Sequence, residues 1–189
     1  ITRPEMSIEK LEMKQLRLIP VLMGEVDLIK TLQLLPGVQA TSEGSSGFSV
    51  RGGSPDQNLI LLDNAAVYNA SHLMGFFSVF NNDAINDITL YKGDIPAAYG
   101  GRLSSLLDIN SHEPTNTEKF SGTGGIGLIS SRIMLESPIS KGKSSFFVAG
   151  RRTYADLFLK LASDDDLRNS AIYFYDLIVK INFNITKTT

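Results

Sequence analysis

Residues 50–69 read VRGGSPDQNLILLDNAAVYN: an arginine, two glycines and a turn triplet, then a hydrophobic run closed by an aspartate–asparagine pair. The run NLILLD has the composition of a strand, and Asp63-Asn64 suits a tight turn because Asn tolerates positive φ better than any residue but Gly. Arg51 stands at the edge of this apolar run and needs a partner. Working outward, GFSVRG (47–52), DITLYKG (87–93) and SSLLDIN (104–110) are further strand candidates, separated by Gly, Pro, Asn and Asp clusters. Upstream, Ser7 can cap a helix through IEKLEMKQL (8–16). A second helix fits GEVDLIKTLQLL (24–35), where Val26, Ile29 and Leu32 share a face flanked by Leu28 and Leu35. Glu25 and Asp27 suit its positive end, and Pro36-Gly37 stops it. The first 110 residues therefore read as an α+β module around a small mixed sheet. Val50, Leu59, Leu61, Ile88, Leu90 and Leu107 are expected to point inward.

The pattern changes across NSHEPTNTEKFSG (110–122), a polar stretch carrying Pro114, where a boundary is expected. Beyond it the chain is almost purely β. In AIYFYDLIVKINFNI (171–185) the odd positions Ala171, Tyr173, Tyr175, Leu177, Val179, Ile181, Phe183 and Ile185 are apolar or aromatic. The even positions carry Asp176, Lys180, Asn182 and Asn184. Soluble strands usually run about five or six residues, whereas a tilted membrane strand needs about 9–11, with aromatics near both interfaces. GGIGLISSRIMLES (124–137) is a weaker version, with Gly127, Ile129, Ser131, Ile133 and Leu135 on one parity and Arg132 and Glu136 on the other. SSFFVAGRRTY (144–154) reads as the strand returning after the PISKGKS turn. On length the tail reads as strands of a membrane β-barrel. A half-buried strand of a soluble sheet fits the same alternation.

Composition excludes several functions. The chain has 189 residues and 18 basic against 20 acidic side chains, so no basic face for nucleic acid is expected. It has no cysteine, which removes disulfides, thiolate catalysis and cysteine-bound zinc. No run approaches the roughly 18 apolar residues of a membrane helix. The opening ITRPEMSIEK reads as internal to a longer protein. GTGGIG (122–127) matches a dinucleotide-binding pattern but is preceded by polar residues and followed by β alternation, not a helix. GFSVR has Arg51 where a nucleophile elbow needs glycine. His72 and His112 stand forty residues apart without carboxylates at ligand spacing, and Asp164-Asp165-Asp166 reads as a solvated loop. No catalytic residue, metal site or cofactor is expected.

In order over residues 34–110, LLPGVQ, GFSVRGG, LILLDN and ITLYKGDIPAAYGGRLSSLLDIN resemble the plug domain of TonB-dependent outer-membrane receptors. The family pattern is a helix ending P-G-V, a strand ending R-G, a strand ending L-D-G, a strand ending K/R-G, then Y-G and a last short strand. Asn64 replaces the glycine of L-D-G. GRLSSLLDI and YNASHLMGFFSVF resemble receptors of the Bacteroidetes group, and the V-G-Y-G phrase of the SusC-type branch does not occur. The resemblance implies a plug over residues 1–112 and the first three strands of a 22-stranded barrel over residues 113–189, so no closed pore. The energy-coupling peptide that precedes such plugs is not among these residues.

It further implies a place in the cell outer membrane, with the plug in the barrel lumen and accessible from the periplasm. Implied partners are the remaining barrel strands, a periplasmic TonB energy-transducing protein, a small nutrient ligand and membrane lipid, but no nucleic acid. The protein would be a transporter and receptor, not an enzyme. Arg51 and Lys92 match basic plug residues that lock onto barrel carboxylates. Gly52, Gly53, Gly93, Gly100 and Gly101 would serve the gate's turns. Read from the residues themselves, the segment YNASHLMGFF (68–77) sets Tyr68, Asn69, Ser71 and His72 beside Met74, Phe76 and Phe77, as in a loop facing a small amphiphilic or sugar-like ligand, while Phe76, Phe77, Val79 and Phe80 equally fit a cap on the core. The alternative function is a soluble periplasmic or secreted β-rich interaction domain.

Overall fold

The computed structural model describes residues 7–12, 27–42, 45–72, 75, 77–114, 119–154, 160 and 173–183. They fall into two compact units, one running to Ser111 and the other starting at His112.

The first unit is built on a five-stranded sheet in the order β1-β8-β9-β4-β5, with β1 at Ile8–Glu12, β4 at Asn58–Leu62, β5 at Ala65–Ala66, β8 at Ile85–Tyr91 and β9 at Ser105–Ser111. β4 and β9 run parallel and the other pairs antiparallel, so the sheet is mixed, as expected. Two small pairs accompany it: β2 (Val38–Ala40) with β3 (Phe48–Val50), and β6 (Ser71–His72) with β7 (Phe77–Ser78).

The helix expected over 8–16 is corrected: Ile8–Glu12 is an edge strand. In IEKLE the pairing sets Leu11 opposite Ile88 and Glu9 opposite Leu90, a period of two that the sheet edge exploits. Residues 13–16 lie outside the described residues. The second helix is α1, Leu28–Leu32. Asp27 caps it, its Oδ1 accepting from Ile29 N–H (2.9 Å) and Lys30 N–H (3.1 Å). Its Oδ2 accepts from Ser78 N–H at 2.8 Å, which ties the helix start to β7. Gly37, at φ +80°, turns the chain into β2.

Leu28, Ile29 and Leu32 pack into one cluster with Val50, Ile88, Leu90, Leu107 and Ile109. From β4 it is Ile60 and Leu62 that join this cluster. Leu59 and Leu61, also expected inward, lie on the other face of the sheet because they pair with Leu106 and Asp108. Leu61 is buried there and Leu59 half-buried. An all-apolar strand hides its parity, so only the register separates the two pairs of leucines.

The second unit is an antiparallel sheet in chain order: β10 (Ser121–Ile126), β11 (Ser130–Ser140), β12 (Ser144–Thr153) and β13 (Tyr175–Phe183). Four strands replace the three expected. A turn at 127–129 splits GGIGLISSRIMLES, with Gly127 N–H donating to Ser130 C=O at 2.8 Å. GTGGIG therefore lies in β10 and its turn and opens no helix. β11, β12 and β13 are 11, 10 and 9 residues long, the length of membrane strands. Along β13 the odd positions are exposed and the even ones half-buried without exception. Residues 115–118, 155–159, 161–172 and 184–189, with the Asp164–Asp166 run, Ala171 and Ile185, lie outside the described residues.

Candidate functional site

Arg51 occupies an unexpected backbone. It has φ +50° and Gly52 has φ +78°, while Gly53 N–H donates to Val50 C=O at 2.9 Å. Two positive φ values inside a closed four-residue turn are the signature of a type I′ turn, which favours Asn or Gly at its first central position. An arginine there is strained by about 1 kcal/mol. Neighbours hold the turn in place. Arg51 N–H donates to Gly37 C=O (2.8 Å), and Ser104 Oγ–H donates to Val50 C=O (2.8 Å). Gly53 is required by close approach, since a Cβ there would fall 2.6 Å from Ser104 Cβ.

The Arg51 side chain is exposed and reaches Ser7 Oγ at 3.4 Å. It also passes Gly93, where a Cβ would sit 3.0 Å from its Nη1. The arginine of one motif thus crosses the glycine of the other. No carboxylate pairs with Arg51 among the described residues.

Lys92 differs. Its side chain is 6% exposed, and Nζ meets Glu9 Oε1 at 3.0 Å and donates to Pro36 C=O at 3.2 Å. Lys92 follows β8 on the parity of Ile88 and Leu90, the face that also carries Glu9. Its partner therefore lies inside the first unit and staples β1 to the end of α1's turn. Reading IEKLE as helix concealed Glu9. As a strand, its lone acid on an apolar face would have pointed to a buried cation. Gly101 also has a positive φ, +89°, whereas Gly100 has an ordinary φ and open space around it.

Asp63 and Asn64 form the expected tight turn, at φ +49° and +66°. The Asp63 carboxylate also accepts from Ser111 N–H (2.9 Å) and Ser111 Oγ–H (2.7 Å). It clamps the last residue of the first unit. The next residue, His112, places Nε2 3.3 Å from the Oε2 of the buried Glu136, and its ring lies 5.1 Å from that of Phe147. Sequence reading found neither clamp, because their partners are 48 and 24 residues apart. On the opposite sheet face Asp108 has Oδ1 buried with no hydrogen-bond partner among the described residues. Burial, then the charges of Asp87 and Asp63, push its carboxyl above the usual range.

The expected ligand-facing residues follow β5, at the sheet edge opposite β1. Tyr68 is 90% exposed. Asn69 Oδ1 accepts from Ser71 N–H (3.2 Å) and Ser71 Oγ–H (3.3 Å), an Asx turn that feeds the β6–β7 hairpin. His72 pairs with Phe77 across it. Tyr68, Asn69, Ser71 and His72 thus share one short segment. Met74 and Phe76 lie outside the described residues. No group of three or more potential metal-ligating side chains occurs among the described residues.

Residues 20–105 match the TonB-dependent receptor plug domain family. No curated protein sequence matches the chain. Among solved structures, the siderophore receptor PirA from Pseudomonas aeruginosa superposes with a TM-score of 0.67 at 18% identity, covering 99% of this chain and 32% of that one. PirA from Acinetobacter baumannii gives 0.58 at 19% identity, over 82% of this chain and 26% of the receptor. The ferric yersiniabactin uptake receptor FyuA from Yersinia pestis gives 0.54 at 18%, over 78% and 24%. The chain spans a third or less of each of these receptors. Residues 20–105 are thus similar to the TonB-dependent receptor plug domain, and the antiparallel strands after them share the fold of the corresponding part of these receptors.

Proposed function

We propose that the chain is the gate and the start of the barrel wall of an outer-membrane importer, with the plug over residues 1–112 and barrel strands over 113–189. A small nutrient binds from outside on the segment holding Tyr68, Asn69, Ser71 and His72. A periplasmic TonB protein, driven by the inner-membrane proton gradient, then displaces the plug. The protein acts as a transporter and catalyses no covalent reaction. The phrases GRLSSLLDI and YNASHLMGFFSVF support placing it with receptors of the Bacteroidetes group outside the SusC-type branch. The similar structures named for siderophores make iron chelates the first nutrient class to test.

One observation carries this reading: the plug fold is followed by long strands, and along β13 the apolar side is the exposed one. Arg51 is the lock residue. A strained arginine reaching outward without an internal carboxylate fits a charge whose partner lies on the barrel wall. Lys92 supports the gate from within by fastening β1.

The test is accumulation of labelled ferric siderophores by cells carrying the full receptor as their sole importer. Accumulation should stop when the receptor is deleted and when the proton gradient is collapsed. Uptake that persists in energy-depleted cells would overturn the proposal.

A further inference from the structure

The β10–β13 sheet has two chemically different faces, and its register sorts them. Arg132, Glu136, Arg151, Asp176 and Lys180 fall on one face. Arg151 and Asp176 are direct cross-strand partners, Nη2 to Oδ2 2.6 Å, and Arg151 is buried. The opposite face carries Ile133, Val148, Leu177, Val179, Ile181 and Phe183. Among the described strand residues its one charge is Arg152. Arg152 is exposed and lies against the Tyr173 ring at 5.6 Å, with Tyr175 beside it in register. No carboxylate pairs with it among the described residues.

A groove of about 410 Å³ lies next to it. Its floor is Gly150, where a Cβ would sit 3.8 Å from Ile133 and 3.9 Å from Leu177. The missing side chain leaves a notch between two aliphatic walls, ending at Arg152 and Tyr175. Arg132, Arg151 and Asp176 also border the groove but by register belong to the other face of the sheet, which leaves Arg152 as the cation on the apolar side. An apolar slot ending at such a cation matches a molecule with an alkyl chain and an anionic head.

We infer that this groove holds a phosphorylated lipid of the outward-facing leaflet, with the phosphate on Arg152 and an acyl chain over Gly150. The inference rests on the membrane reading proposed above. The leaflet follows from loop length, because barrels of this kind have short periplasmic turns and longer external loops. The turn at 141–143 has three residues; the other end, beside Arg152, carries the three-residue turn at 127–129 and also residues 154–174, the one long connection between these strands. Tyr173 and Tyr175 then stand at the headgroup level where aromatic girdles lie. A guanidinium there binds phosphate through paired N–H donors.

The test uses the full receptor in phosphatidylcholine vesicles containing bisphosphorylated lipid A, with a photo-crosslinking diazirine side chain replacing Val148. Lipid A adducts at this position should fall about fivefold in Arg152→Gln. They should fall equally when wild-type Arg152 meets dephosphorylated lipid A, a comparison that needs no change in the protein. Arg152→Lys should keep most of the yield, and added inorganic phosphate should not compete. Equal yields from Arg152→Gln and wild type, or from lipid A with and without phosphate, would overturn the inference while leaving the membrane reading intact. The absence of adducts with any lipid, phosphatidylcholine included, would overturn both.

Discussion

The two units of this chain bury opposite things. In the first, Leu28, Ile29, Leu32, Leu90 and Leu107 are all fully buried, and the exposed surface carries Arg51, Asp63 and Asn64. In the second, Tyr175, Leu177, Val179, Ile181 and Phe183 are each more than half exposed, while Glu136 and Arg151 are 5% and 4% exposed. The same alternation of apolar and polar residues therefore runs in opposite senses along one chain. A sheet sorts its side chains by parity, and the surrounding solvent decides which parity faces out. The first unit presents polar groups outward, and in the second the outward side of β13 is apolar, the arrangement expected of a strand facing hydrocarbon under the function proposed above.

The contrast predicts its largest effect in the first core. Leu107→Ala should destabilise the plug by about 2–5 kcal/mol, read as faster hydrogen exchange of the β9 amides in the intact receptor. Leu177→Ala on the outer face should leave those amides unchanged. Equal effects would erase the distinction between the units.

A charge placed on the second unit sharpens it from the other side. Val179→Lys near mid-bilayer should cost about 2–4 kcal/mol of barrel stability in lipid, and Ile178→Lys one position away much less. Equal costs would mean that the two parities of β13 see the same medium.

Arg51 separates stability from function. Arg51→Asn keeps a residue that tolerates positive φ, so the plug's own stability should hold or rise by about 1 kcal/mol. In the full receptor the same change should raise passive entry of small solutes. Unchanged leakage would remove Arg51 from the lock.

Lys92→Met should cost about 1 kcal/mol, because Glu9 is 40% exposed and recovers water once its partner is gone. It should leave leakage nearly unaltered, in contrast with Arg51. The smallest effect is pH-dependent. Asp108 has a raised pKa, so the folded plug holds its proton more tightly than the unfolded chain. Its destabilising contribution appears as pH rises through that raised value and vanishes as pH falls toward the ordinary 3.8. Asp108→Asn should therefore raise the plug's unfolding temperature at pH 7, with the gain shrinking on acidification. A gain independent of pH would mean that charge is not the cause.

Much of this was legible in the sequence, and the exceptions share physical causes. Strand positions and the Asp63-Asn64 turn follow from local chemistry: short apolar runs, turn residues, and Asn at positive φ. The outer face of β13 was readable because its alternation spans nine residues. β1 was misread because IEKLE is too short to distinguish a period of 2 from one of 3.6. Leu59 and Leu61 were misassigned because parity is invisible in an all-apolar strand. Arg51 and Lys92 look alike in sequence, each basic and followed by glycine. They differ in backbone, Arg51 at positive φ and Lys92 continuing a strand, and in a partner far along the chain, Glu9 for Lys92 and no carboxylate among the described residues for Arg51. The Asp63–Ser111 and His112–Glu136 clamps escape for the same reason: sequence shows the groups but not the pairing.

The most direct test of the central claim is a nitroxide scan of β13 in the full receptor within native outer membrane. Residues 175–183 would be replaced one at a time by labelled cysteine, and the segment itself carries no cysteine to interfere. The account predicts strict alternation. Labels at 175, 177, 179, 181 and 183 should collide with oxygen dissolved in lipid and be shielded from a water-soluble relaxant, and labels at 176, 178, 180 and 182 should lack that lipid exposure. Odd positions open to the water-soluble relaxant, or no alternation at all, would contradict it and place the sheet in a soluble protein.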